Sequence, residues 1–478
     1  MRFSFLPGSS NGPLQSPGLN ASLAGTRVTF GSAVEANYLG DNDYSKFSVN
    51  EIGIATSEGD MQPSLQTSQG VFFFTFADNF MTFCQSHSLP VRGHFLVNGP
   101  NAYPSWLSTA VTNAISATSV LTNTINTIVG RYAGRIRYWN VVNEAIKPFS
   151  GDANGFQSNP FYQFLGADPK TGYIALALKL AHAADPTAKL GLNFDQCDTS
   201  QSTMAQNRVY VLNAVKALLA AGAPLSWIGL EGHLGTDFLA NFVASDFTNF
   251  LNQLGALGLE VHITELDAND TVLPQFIPTR DSFVSQAIAA YVSAAAASPY
   301  LTVVQSWELS DRNSWYNNGN NLPPRGDRAT HRVTLLDNDF SPKPAYFALK
   351  NALLSQLPSV RPAQMTDPFA NYRNSAASGG GDLRDNSFPK IPKYKDPTTG
   401  QIDWSRYNRE QDRLDYYRVS LFMNRQTNTI NQLLRLLAEG SLNEQAWAQN
   451  ALNIGINASG VIGCQNPSGL GPGVTLEE

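Results

Sequence analysis

The sequence predicts an α/β fold, an eight-stranded (β/α)8 barrel carrying a helical appendage at its C-terminal end. Three observations point there. Short β-branched runs alternate with longer helical patterns from about Val28 to Leu357, as expected when crossover helices join parallel strands. At least six such units occupy this stretch, which suits a closed barrel better than a smaller open sheet. No glycine-rich phosphate loop follows the first strand, which argues against a doubly wound nucleotide-binding sheet.

Strands are expected at Val91–Val97, Ile136–Val142, Lys189–Phe194, Trp227–Leu230, Glu260–Leu266 and Thr302–Leu309, each a short run of branched and aromatic residues. Between them, Tyr173–Ala184 reads as a helix stopped by Asp185-Pro186, and Val209–Ala221 as one closed by Gly222. These units make residues 1–360 one domain. The texture then changes. Residues 361–402 are rich in Pro, Gly, Asp, Asn and Lys and contain Gly379-Gly380-Gly381, the composition of a linker. In Trp404–Glu439, Leu414, Tyr417, Leu421, Ile430, Leu433, Leu434 and Leu437 recur at helical spacing, and Gly440 closes the run. Such a helix must bury its apolar stripe. Residues 403–478 are therefore expected to be a docking or oligomerisation segment, contacting a second copy or a larger assembly such as a virus-like particle.

The 478 residues carry a formal charge of −6 and no long block of like charges, so nucleic acid is a poor partner. Cys84, Cys197 and Cys464 lie far apart with no CxxC spacing, which argues against a disulfide framework or structural zinc. No metal or organic cofactor is expected. The N-terminus meets Pro7 before any apolar segment of signal-peptide length, and no stretch is apolar over the roughly 20 residues that span a bilayer. A soluble chain without its own export signal is expected, acting outside the cell or on a particle.

Two strands end in carboxylates. Trp139-Asn140-Val141-Val142 runs into Asn143-Glu144, and in a parallel barrel this end of the strand forms the rim of the active site. Glu260-Val261-His262-Ile263-Thr264-Glu265-Leu266-Asp267 brings a second acid, and alternation along a strand would put Ile263, Glu265 and Asp267 on one face. Buried acids are costly. Two rim carboxylates from different strands are the minimum equipment for glycoside hydrolysis. His233, just after Ile228-Gly229-Leu230-Glu231-Gly232, is placed to orient one of them, with Asp267 behind it.

Phe30-Gly31-Ser32-Ala33-Val34, Arg92-Gly93-His94, the Trp139–Ala145 block, Ile228–Leu234, Ile263–Asp267, Ser310–Trp315 and Pro342–Tyr346 closely resemble, in order, the blocks of family 10 glycoside hydrolases. Those enzymes are mainly endo-β-1,4-xylanases on a TIM barrel. The resemblance covers about residues 25–355 and implies a retaining hydrolase of β-1,4-linked polysaccharide, most simply xylan. Glu144 would be its acid/base and Glu265 its nucleophile, with carboxyls about 5–5.5 Å apart. His233 and Asp267 would support the nucleophile. Asn143 would hold the sugar 2-hydroxyl, His94 would bind that sugar, and Trp307 and Trp315 would wall it.

The chain also departs from the family. Glu58-Gly59-Asp60-Met61-Gln62-Pro63 stands where Glu-Asn-Glu-Met-Lys-Trp is usual, keeping Glu58 as a substrate contact but losing the Asn and Lys. Asn98 and Gly99 replace a Trp and a His, and Glu231 replaces a Gln. An extra carboxylate at Glu231 would be expected to raise the pKa values of its neighbours. These losses motivate a second reading, a glycan-binding or structural barrel with weak turnover. The retained set Asn143, Glu144, His233, Glu265 and Asp267 favours the enzyme.

Overall fold

A computed structural model of the chain describes residues 15, 17–99, 103–318 and 325–355. The segments read as linker (361–402) and docking element (403–478) lie outside the described residues. Among those described, eight parallel strands close on themselves: β1 (Thr29–Val34), β2 (Ala55–Ser57), β3 (Val91–Val97), β4 (Tyr138–Asn143), β5 (Lys189–Phe194), β6 (Trp227–Leu230), β7 (Glu260–Ala268) and β8 (Leu301–Ser306). Each pairs with the next, and β8 pairs back onto β1, Thr29 opposite Val303. The eight-stranded barrel expected from the sequence is the observed fold.

Eight longer helices follow the strands: α1 (Asn42–Glu51), α2 (Thr75–Ser86), α3 (Ala114–Arg131), α4 (Tyr173–Ala184), α5 (Ser202–Ala220), α6 (Ala244–Gly255), α7 (Ile277–Ala296) and α8 (Pro344–Leu354). Local chemistry starts several of them. The Asp41 side chain accepts from the backbone N–H groups of Asp43 and Tyr44 at the head of α1. Asn113 and Ser116 cap each other reciprocally at the head of α3. α4 has the expected bounds, whereas α5 begins at Ser202 rather than Val209, because its polar first turns carry no apolar period. Among the described residues, no helix is long and apolar enough to cross a membrane.

Two apolar regions hold the barrel. The larger lies between strands and helices; the smaller, Ile54, Tyr138, Trp227 and Val303, plugs the barrel. The plug depends on glycine. A Cβ on Gly191 would lie 2.1 Å from the Trp227 ring, and in the larger region outside the strands one on Gly93 would lie 2.3 Å from the Trp139 ring, both well inside contact distance. Trp227 also stacks on His262 at 4.7 Å between centroids. Above the plug the interior turns polar. Arg92 is wholly buried and donates through Nε to Thr56 Oγ1 at 3.1 Å, and Gln305 donates to the same hydroxyl at 2.6 Å. Polar side chains continue from there to the C-terminal mouth.

Candidate active site

β4 delivers Asn143 and Glu144. No helix starts there: Asn143 is the last strand residue, and Glu144 turns out of the strand at φ 47°. That left-handed conformation costs a non-glycine residue on the order of 1 kcal/mol, and it is pinned by the Glu144 N–H donating to the Asn193 carbonyl at 2.9 Å. The turn lifts the carboxylate into the barrel mouth. Gly99 gives it room, since a Cβ there would come within 2.8 Å of the Glu144 carbonyl. The loss of a His at position 99 thus has a steric reason. Asn98, where the family has an aromatic residue, accepts from the Asn143 amide at 3.2 Å.

β7 delivers Glu265, but not by simple alternation. The ladder to β8 shifts register between Ile263 and Leu266. Thr264 and Glu265, neighbours in sequence, both reach Asn193: the Thr264 hydroxyl donates to its Oδ1 at 2.6 Å, and its Nδ2 donates to Glu265 Oε1 at 2.8 Å. Ile263 belongs instead to the outer apolar core. The expectation that Ile263 shares a face with Glu265 is therefore corrected. The same Asn193 amide lies 2.9 Å from Asn143 Oδ1 and 3.2 Å from Glu231 Oε1, so one β5 residue links the ends of β4, β6 and β7.

Charge surrounds Glu265. Arg92 Nη2 is 3.6 Å and His94 Nδ1 3.8 Å from Oε1, and His233 Nε2 is 3.4 Å from Oε2. Burial pushes the Glu265 carboxyl up, but the imidazoles of His94 and His233 and the Arg92 guanidinium outweigh it and bring it to about 2. His94 itself is pushed down to about 3, chiefly by burial, so it adds charge only in acid; at neutral pH the cations beside Glu265 are Arg92 and His233, and the neutral His94 ring accepts at Nδ1 from Asn140 at 3.1 Å. His233 goes the other way. Burial lowers it, yet Asp267, 3.0 Å from Nδ1, and Glu265 raise it well above its usual value. Trp315 holds Asp267 in turn, donating Nε1–H to Oδ2 at 2.8 Å. Trp307 and Trp315 pack against His233 at 6.3 and 5.1 Å, and His94 meets Trp307 at 5.1 Å.

Glu231 reverses the electrostatic expectation. Burial, then the charges of Glu265, Glu144 and Asp195, push its own carboxyl well up. The extra acid is neutral at the pH where Glu265 is charged, and its protonated carboxyl is close in shape and hydrogen bonding to the Gln it replaces. Glu231, His233 and Glu265 bring ligand atoms within 4.8 Å of one another. As an imidazolium, however, His233 offers no lone pair to a metal.

The structure brings nine of the ten singled-out residues around one cavity mouth and sets the tenth, Glu58, at its edge. Burial raises Glu58 to about 8, and its carboxyl is hydrogen-bonded to that of Glu308. Glu308 is fully buried at φ 67°, accepts from the Tyr44 hydroxyl at 2.8 Å, and is raised well above its usual value by burial and by Glu58. On the opposite side Lys147 forms an ion pair with Glu144 and reaches Asp195 Oδ2 at 2.9 Å. Tyr44, Lys147 and Glu308 give no local signal in the sequence, and Asp195 lies in Asn193-Phe194-Asp195-Gln196, which resembles the family's Asn-Asp-Tyr-Asn block only loosely. Arg92, in Arg92-Gly93-His94, and Asn193, in the strand expected at Lys189–Phe194, carry no role that the sequence assigns.

The family model described as Glycosyl hydrolase family 10 matches residues 18–352. Endo-1,4-beta-xylanase C of Phanerodontia chrysosporium is 32% identical over 301 residues, 62% of this chain and 70% of that protein. Among solved structures, native xylanase 10B from Thermotoga maritima superposes with a TM-score of 0.61 at 25% identity, covering 71% of this chain and 98% of that one. The Penicillium canescens endo-1,4-beta-xylanase XylE gives 0.62 at 25% identity, covering 72% and 99%.

Proposed function

Since the chain belongs to glycosyl hydrolase family 10, we propose that it hydrolyses xylan as a retaining endo-1,4-β-xylanase with Glu265 as nucleophile and Glu144 as acid/base. In the first step Glu144 protonates the glycosidic oxygen, the C1–O bond breaks, and a Glu265 oxygen bonds to C1. In the second, Glu144 takes a proton from water, the resulting hydroxyl bonds to C1, and Glu265 leaves as a carboxylate. His233 and Asp267 orient the nucleophile. Asn143, tied to Asn193 and Asn98, presents its amide to the sugar 2-hydroxyl. His94, Glu231, Trp307 and Trp315 line the reacting sugar, and Glu58 borders the glycone side.

One observation carries the assignment. A carboxylate that burial alone would neutralise is held charged by two cations and one aligned amide, the condition a nucleophile needs. The charged, ordered centre favours turnover over a glycan-binding or structural barrel. NMR of the first product released from xylan tests it: the β-anomer should appear first, and Glu265→Gln should lower kcat by roughly 10⁴-fold or more. Initial α-anomer, or full activity in Glu265→Gln, sinks the assignment.

For residues 403–478, the apolar stripe supports a contact segment that makes the full chain a homo-oligomer. Light scattering of the full chain beside a chain ended after Pro358 tests this; two monomers would refute it.

A further inference from the structure

The acid/base reading contains a conflict. Glu144 must hold a proton to break the glycosidic bond, yet its carboxylate is ion-paired to Lys147, an ammonium that needs a partner once that proton is in place. The surroundings resolve it. Lys147 has a second acid within reach, Asp195, at 2.9 Å. The lysine backbone is fixed, its N–H donating to the Gly155 carbonyl at 2.9 Å in a loop closed by Gln157 N–H on the Ala145 carbonyl. Its ammonium thus sits between two acids and pairs with both. Asp195 is anchored beyond the end of β5, where its carbonyl accepts from Asn207 at 3.1 Å, and its Oδ1 is buried without a partner.

We propose that Lys147 and Asp195 are positioning residues for the acid/base: Lys147 neutralises Glu144 while it waits as a base, and Asp195 takes over Lys147 when Glu144 carries the proton. A half-buried ammonium left without a partner would be costly, and the second carboxylate removes that cost. Burial and the Glu144 charge push Asp195 up to about 7, consistent with two acids that share one cation and compete for one proton. The other titratable and charged groups facing this centre are Glu231 just after β6, Glu265 from β7 with Arg92 and His233 around it, and Asp198 behind Asp195.

This inference rests on Glu144 being the acid/base. It predicts opposite effects from its two halves. In Lys147→Met, Glu144 loses the cation and keeps its proton to higher pH, so the alkaline limb of kcat/KM on xylo-oligosaccharides moves up. In Asp195→Asn, Lys147 has only Glu144 left and the limb moves down. Each shift should be roughly half a pH unit or more, given partial exposure. With a dinitrophenyl xylobioside, whose leaving group needs no proton, the limb should stay in place in both. Lys147→Gln serves should the methionine variant fold poorly. Shifts in the same direction, or none, overturn the proposal, because a structural role would lower activity in both variants without moving the limbs apart. Glu144→Ala separates the premise: losing xylan hydrolysis while keeping the activated substrate upholds Glu144 as the acid, and undiminished xylan hydrolysis removes the premise itself.

Discussion

Glu265 and Glu308 stand at the mouths of neighbouring strands, one within β7 and one just after β8, and both are at most 5% exposed. They hold opposite charge states. Glu265 is drawn down to about 2 among Arg92, His94 and His233; Glu308, facing Glu58 with the Tyr44 hydroxyl as donor, is pushed well up. Burial acts on both in the same sense. What separates them is whether cations or another acid share the space. One side of the mouth is thus equipped with a charged carboxylate for chemistry, and the other with neutral acids suited to hydrogen bonding.

Arg92→Met breaks the contrast from the Glu265 side and carries the largest expected effect. Losing one member of a buried pair typically costs about 3–5 kcal/mol of stability. With the guanidinium gone, Glu265 keeps a proton to higher pH, so the acidic limb of kcat/KM should rise. A pH–rate profile beside a melting curve checks both, and an unmoved acidic limb would mean that His233 alone sets the charge.

Gly59 and Gln62 stand where the family carries an amide and a lysine charge on the glycone side, next to the paired acids Glu58 and Glu308. Each lost contact is worth on the order of 1 kcal/mol, so xylobiose and xylotriose derivatives should be cut roughly tenfold less efficiently than long chains. Equal kcat/KM values would mean that the Glu58–Glu308 pair grips the sugar as well as a cation does.

Glu308→Gln sharpens the contrast thermodynamically. A carboxyl raised on folding retains a proton that the unfolded chain releases above about pH 4. Stability contributed at low pH is therefore lost as pH rises toward the folded values, about 8 for Glu58. Glu308→Gln should raise Tm at pH 8 by a few degrees, for a gain of about 1–2 kcal/mol, and the gain should vanish near pH 4. A lower Tm at both pH values would show that the carboxyl does more than occupy the site.

The smallest effect is expected at Glu231→Gln. An amide replaces a carboxyl whose proton burial and the neighbouring acids favour, so kcat on the acidic side of the profile should hardly change and the Asn193 hydrogen bond should survive. A large loss there would mean that Glu231 works as an anion.

Sequence periodicity placed the middle of the barrel well, because β3, β5 and β6 are short runs rich in branched and aromatic residues and have the expected bounds. It failed where chain direction changes over one residue. β2 has only three residues, too few for a period, and the strand expected to run to Leu309 stops at Ser306 because Glu308 turns to positive φ. The site divides in the same way. Glu144, Glu265, His233 and Asp267 were legible because they end strands in a known order. Lys147, Asp195, Tyr44 and Glu308 were not, since their meaning lies in partners on other strands and loops, which no local pattern records.

Gly93 with Trp139 and Gly191 with Trp227 behave as locked pairs for anyone diversifying this enzyme. A library randomised at either glycine alone should return only glycine, since even a methyl would press into an indole at 2.3 or 2.1 Å. Randomising glycine and tryptophan together opens combinations that neither single position allows, such as alanine opposite a smaller ring. The barrel floor at Gly191 and Trp227, and the outer layer at Gly93 and Trp139, can each change by a coordinated double step.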